Sequence, residues 1–140
     1  MQLSRKQLFF FMALAVVAFS TPAFAGDSDP LFINLTTDDS HAASMAITFG
    51  KNQMDRGHPL TIFLNDKAVF VGSKTNGTKY SKQQQMLTEV MGKGAVVLAC
   101  PMCMGHHAVK EGDLLQGIKV GNPETTGNAL FKDKTVTMTW

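Results

Sequence analysis

Two cysteines, two methionines and two histidines fall in the eight residues from Cys100 to His107, C-P-M-C-M-G-H-H, and these cysteines are the only two in the chain. The stretch is preceded by A-V-V-L-A, Ala95 to Ala99, bounded by Gly94 and Pro101. Small and β-branched apolar residues in such a run predict a strand buried on both faces. Cys100 then stands at the strand's carboxyl end and caps a helix whose first position is Pro101, where a missing N–H costs nothing. Cys103 falls in the first turn. Unpaired N–H groups at a helix start favour a thiolate, so the spacing predicts a reactive cysteine pair.

Four chemistries suit this segment. A thiolate can take sulfane sulfur as a persulfide and yield it to another thiol. C-x-x-C at a helix start is also a thiol–disulfide exchange motif. Cys103, His106 and His107, at i, i+3 and i+4 beside Cys100, could hold a metal. Thiolate with Met102 or Met104 suits Cu(I), and two thiolates with histidine suit zinc, so the alternative metal set is Cys100, Cys103, His107 and Met104. A full C-x-x-C plus H-x-x-x-H zinc set is absent. The fourth reading is a structural disulfide with surface histidines. Sulfur handling ranks first, redox or metal binding next and the structural bridge last. The first reading requires neither a cofactor nor a metal.

The elements that must position these residues follow from periodicity. Leu31 to Thr36 predicts a first strand, and Asp38, Asp39 and Ser40 then offer a helix cap. Polar His41, Ser44, Thr48, Lys51, Asn52 and Asp55 recur at helical spacing among apolar neighbours. Gly57 stops that helix, and Leu60 to Asn65 predicts a second strand. Ala68 to Val71 reads as a short extra strand or loop edge. Ser81 with Gln84 makes a capping-box pattern opening a second helix that ends at Gly92 or Gly94. Ile118 to Val120, a helix from Asn122-Pro123 to Leu130 or Phe131, and Thr135 to Trp140 complete an alternation of strands and helices. Met45, Met54, Met86 and Met91 sit at helical core spacing. This order predicts a single α/β domain, three-layer α/β/α, with a mainly parallel five-stranded sheet. In the last strand Val136, Met138 and Trp140 alternate with threonines, which suits an edge strand or one packed by another subunit, and equally a solvated threonine face in a monomer.

Ligands of open α/β sheets bind beyond the carboxyl ends of the strands. Those ends are Thr36 to His41, Asn65 and Asp66, and Cys100 to His107. Asp39, His41, Asn65, His106 and His107 are therefore candidate binding residues around catalytic Cys103 and Cys100, with helix capping the favoured role for Asp39 and an equal alternative for His41. His58, between Gly57 and Pro59, reads as a loop residue.

Residues 1–25 read as a signal peptide: Arg5 and Lys6, an apolar run from Leu8 to Phe19, and Ala23-Phe24-Ala25 as cleavage site. The apolar run is short of the roughly 20 residues a bilayer span needs, so no stable membrane anchor is expected. The mature domain is expected to span residues 26–140 in the periplasm. The chain has 13 Lys and Arg against 11 Asp and Glu, and Arg5 and Lys6 account for the excess. A near-neutral domain gives no reason to expect nucleic acid as a partner.

The phrases L-F-I-N-L-T-T-D-D, G-H-P-L-T-I-F-L-N and V-V-L-A-C-P-M-C-M, taken in order, resemble the DsrE/DsrF-like family of small sulfur-handling proteins over nearly all of Leu31 to Trp140. The resemblance implies a compact α/β/α domain, commonly a trimer or hexamer, and a cysteine after the third strand that carries sulfur as a persulfide, here Cys103 or Cys100. It implies a sulfurtransferase or sulfur carrier whose partners are small sulfur species or a thiol-bearing protein. The departure is the signal peptide, since the best understood relatives are cytoplasmic. Between the two sulfurs, the sequence position favours Cys103 as the persulfide carrier, with Cys100 more enclosed and modulating it.

Overall fold

A computed structural model describes residue 26 and residues 28–140; the expected signal peptide lies outside the described residues. The elements are β1 (Leu31–Leu35), α1 (Ser40–Met54), β2 (Leu60–Leu64), α2 (Gly77–Gly92), β3 (Val96–Ala99), α3 (Pro101–His106), β4 (Lys119–Val120), α4 (Pro123–Leu130) and β5 (Val136–Thr139). The strands form one sheet in the order β4-β3-β2-β1-β5, every neighbouring pair parallel. The expected α/β domain is therefore present, with a wholly parallel sheet.

Parallel strands need crossovers, and right-handed crossovers fix which face each helix covers. The steps from β1 to β2, β3 and β4 run one way along the sheet, which places α1, α2 and α3 on one face. The return from β4 to β5 spans the whole sheet and places α4 on the other. Leu31, Ile33 and Leu35 of β1 and Leu60, Ile62 and Leu64 of β2 form one core with Ala43, Ala46 and Ile47 of α1 and Leu87 and Val90 of α2. Close approach of α1 to the sheet depends on Gly50, where a Cβ would lie 2.9 Å from Ile33 Cδ1 and Leu60 Cδ2. By contrast α4 has no buried residue.

Three local expectations are corrected. Ala68 to Val71 is not a strand: Asp66–Phe70 is a 3-10 helix capped by the Asn65 side chain, and Ala68, Val69 and Val71 are buried without sheet partners. The second helix begins at Gly77 rather than Ser81, because an additional turn precedes a break at Tyr80 (φ −116°, ψ 23°). β3 is not enclosed throughout, since Val96 at its start is 43% exposed while Val97, Leu98 and Ala99 are buried.

That break at Tyr80 lets the ring enter the core while its hydroxyl donates to Asp38 Oδ2 at 2.8 Å, with Lys79 Nζ at 3.0 Å from the same oxygen. The Tyr80 hydroxyl bond first, then Lys79, holds the Asp38 carboxyl below its ordinary range. A depressed folded-state pKa contributes stability that is present above the unfolded carboxylate pKa and lost as pH falls through the folded one. Tyr80→Phe is expected to cost about 1 kcal/mol at neutral pH and to reduce the loss of stability on acidification. Urea unfolding at neutral pH and near pH 3 checks this; an unchanged acid slope would overturn it.

Candidate functional site

The carboxyl ends of β1, β2 and β3 converge on the cysteine pair. Cys100 is the N-cap of α3 in extended conformation, with Pro101 at the first helical position, as the sequence predicts. The two cysteines are disulfide-bonded, their Cα atoms 5.2 Å apart. Cys100 is 5% exposed and Cys103 is half-buried, so the expected difference in enclosure is present.

Their polar surroundings differ from the sequence expectation. The backbone N–H of Cys103 donates to Cys100 Sγ at 3.2 Å, so this helix-start donor serves Cys100. Cys103 Sγ instead lies 3.1 Å from Asn65 Oδ1, a hydrogen-bond acceptor. Asn65 is fixed from both ends: Oδ1 accepts the Asp66 N–H at 2.9 Å and Nδ2 donates to Asn34 Oδ1 at 3.2 Å. A carbonyl oxygen beside a sulfur favours the protonated thiol over the thiolate.

Asp66 follows with φ 45°, a left-handed conformation unusual for a non-glycine residue. It aims its carboxylate at α3, where Oδ1 is 2.9 Å from His107 Nε2. That bond is the main cause holding the Asp66 carboxyl below its ordinary range. The His107 ring packs on Phe70, centroids 4.9 Å apart, and His106 meets it edge-on at 4.7 Å.

Of the expected residues, then, Cys100, Cys103 and Asn65 meet directly, and His107 is tied to the adjoining Asp66. Asp39 is not brought in: its side chain caps α1 by accepting the Ala42 N–H at 2.7 Å. His41 is exposed in the first turn of α1, and no hydrogen bond among the described residues joins it to either sulfur. His106 is exposed on α3. Met104 of the alternative metal set is 6% exposed and belongs to the core cluster, which turns its sulfur to packing. Among the described residues no three His, Cys, Asp or Glu side chains are grouped to hold a metal ion. Sequence reasoning placed Asp66 at this edge without a role and missed Asn34, whose signal is a lone amide inside the apolar strand L-F-I-N-L.

Two clefts flank the pair on the α4 side of the sheet. One, of about 250 Å³, is lined by Phe63, Cys100, Pro101, Met102, Pro123 and Thr126 together with Gly121 and Asn122. The other, of about 340 Å³, also reaches Phe63 and Thr126 and ends on Asn34, Asn65, Thr137 and Thr139. No charged side chain lines either.

A wholly parallel sheet with a cysteine pair after its third strand defines a small α/β protein whose site lies at the strands' carboxyl edge. The sequence model of the DsrE/DsrF-like family matches residues 31–137, and the chain belongs to that family, whose functions concern sulfur. Among solved structures, the chain is similar to MTH1491 from Methanobacterium thermoautotrophicum, a protein of unknown function (16% identity, 79% of this chain and 98% of that one, TM-score 0.64). It is also similar to BT1422 from Bacteroides thetaiotaomicron, likewise of unknown function (19%, 80% and 95%, TM-score 0.58). The ychN protein from E. coli is a third (18%, 79% and 99%, TM-score 0.54). At these identities the likeness is one of fold. No curated protein sequence matches the chain.

Proposed function

We propose that the protein accepts sulfane sulfur at its Cys100–Cys103 pair, holds it as a cysteine persulfide, and passes it to a thiol. The observation that carries this reading is the pairing of one enclosed and one half-buried cysteine after β3 on a DsrE-type fold. In the reduced pair, one thiolate attacks the sulfane sulfur of a donor, the donor's S–S bond breaks, and its electron pair leaves on the donor thiolate. An acceptor thiolate then takes the outer sulfur and regenerates the cysteine. Alternatively the second cysteine attacks the persulfidated sulfur, expels hydrosulfide and closes the disulfide, which a dithiol reductant must reopen. The bonded state of the pair favours one further reading, thiol–disulfide exchange without sulfur uptake.

The proposal includes export of the chain to the periplasm with removal of residues 1–25, and assembly into a trimer or hexamer, to which the edge position of β5 and the exposure of Val136 lend support. One experiment addresses these points: native and denaturing mass spectrometry of protein isolated from the periplasm without reductant and then, after reduction, treated with polysulfide. The expected result is a chain starting at Gly26, in an oligomer, gaining whole sulfur atoms after treatment. A full-length chain or a monomer would overturn the corresponding part. Reversible disulfide formation with no sulfur gain would put thiol exchange in place of sulfur transfer.

A further inference from the structure

Cys100 and Cys103 face different surroundings, and the difference bears on which sulfur attacks and on what it attacks. Cys100 receives a backbone N–H at 3.2 Å and lines the 250 Å³ cleft between α3 and α4. Cys103 faces the Asn65 carbonyl at 3.1 Å and is absent from that lining. The Asn65 amide cannot turn its NH₂ group toward Cys103 without losing the Asp66 N–H bond to its Oδ1. The cleft walls are Phe63, Pro101, Met102 and Pro123, with Asn122 and Thr126 as polar side chains and no charge. On α3 the titratable neighbours are His106 and His107, the latter engaged by Asp66; β2, β4 and α4 present none to the cleft.

We propose that Cys100 is the attacking sulfur and that the cleft between α3 and α4 receives an uncharged, apolar sulfane-sulfur donor, of the class of elemental-sulfur rings and dialkyl polysulfides. This reassigns the roles expected from sequence and rests on the sulfur-transfer reading. The Cys100 thiolate opens an S–S bond of the donor, forming a new bond from Sγ to one donor sulfur. The electron pair departs on the far sulfur, which takes the proton held on Cys103. The resulting Cys103 thiolate then attacks Cys100 Sγ, closing the disulfide and expelling the bound sulfur as a hydropolysulfide or hydrodisulfide. Two thiols are oxidised and one donor S–S bond is reduced. An uncharged cleft slows anionic donors relative to neutral ones, because a charge entering it would lose hydration without finding a partner.

The test begins with alkylation of reduced Cys103→Ser and Cys100→Ser proteins by iodoacetamide and iodoacetate across pH. Cys100 is expected to react with a midpoint at least about one pH unit below that of Cys103, a tenfold larger thiolate fraction below both midpoints. It should also favour neutral iodoacetamide over anionic iodoacetate more strongly than Cys103 does. Asn65→Asp should raise the Cys103 midpoint and leave that of Cys100 nearly unchanged. Dispersed elemental sulfur should load Cys100 faster than tetrathionate does, and Thr126→Phe, or Met102→Glu at the exposed cleft mouth, should slow that loading. A lower midpoint at Cys103 overturns the assignment, and preference for tetrathionate overturns the donor class. Alkylation reads the thiols whether or not sulfur is transferred, so expected midpoints without any sulfur uptake would sink the sulfur-transfer reading and leave the ionisation order standing.

Discussion

Cys100→Ser/Cys103→Ser protein is expected to take up no sulfane sulfur from polysulfide while keeping its fold. A hydroxyl is not ionised at neutral pH and forms no S–S bond, so nothing else in the described site can replace the pair. The fold should persist because serine is a favoured N-cap whose oxygen can accept the residue-103 N–H that Cys100 Sγ now accepts. The loop closed by the disulfide is also very short, with a sequence separation of 3, and the chain-entropy account assigns short loops the smaller stabilisation. Intact mass after polysulfide treatment, with circular dichroism as the control for folding, decides it. Sulfur retained by the folded double variant would remove the cysteines from the mechanism.

Ile62→Ala is expected to be the most damaging single truncation on β2, costing about 2–5 kcal/mol. Ile62 is fully buried at the middle of β2, with β1 on one side and β3 on the other, and its side chain belongs to the core shared with α1 and α2. Neighbouring strands hold the backbone, so the vacated volume cannot collapse readily and the lost contacts are not replaced. Met45, expected from its spacing to pack in the core, is instead 50% exposed on α1, and Met45→Ala should remain within about 0.5 kcal/mol of the parent. Urea denaturation of the three proteins measures both, and a loss below about 1 kcal/mol for Ile62→Ala would contradict this placement of the core.

The sheet was legible because its strands are apolar runs punctuated by glycine, proline and capping residues; Leu31–Leu35 and Leu60–Leu64 fall within one residue of expectation. The segment from Ala68 to Val71 misleads for the same reason. Its apolar residues are drawn into the core as a 3-10 helix after the left-handed turn at Asp66, and periodicity cannot tell that burial from burial in a strand. The cysteine pair, its cap and Pro101 were readable from local spacing. The amides were not. Asn34 and Asn65 meet across the β1–β2 register, 31 residues apart, and the orientation that presents Oδ1 to Cys103 is set by a backbone N–H. Asp39 takes the capping role its position after β1 favours, its Oδ1 accepting the Ala42 N–H.

The final strand has a consequence for biosynthesis. β5 pairs with β1, and Trp140 closes the register through its carbonyl, which accepts both the N–H and the hydroxyl of Thr36, 104 residues earlier in the chain. A chain that leaves a ribosome or a translocation channel with its amino end first would expose the outer edge of β1 until residues 136–140 emerge. Such an edge is a template for pairing with other chains, and contacts of this sequence separation form late. Vectorial delivery thus leaves a window in which β1 is unprotected, and chaperone demand during that window should fall sharply once residues 136–140 have emerged and paired with β1.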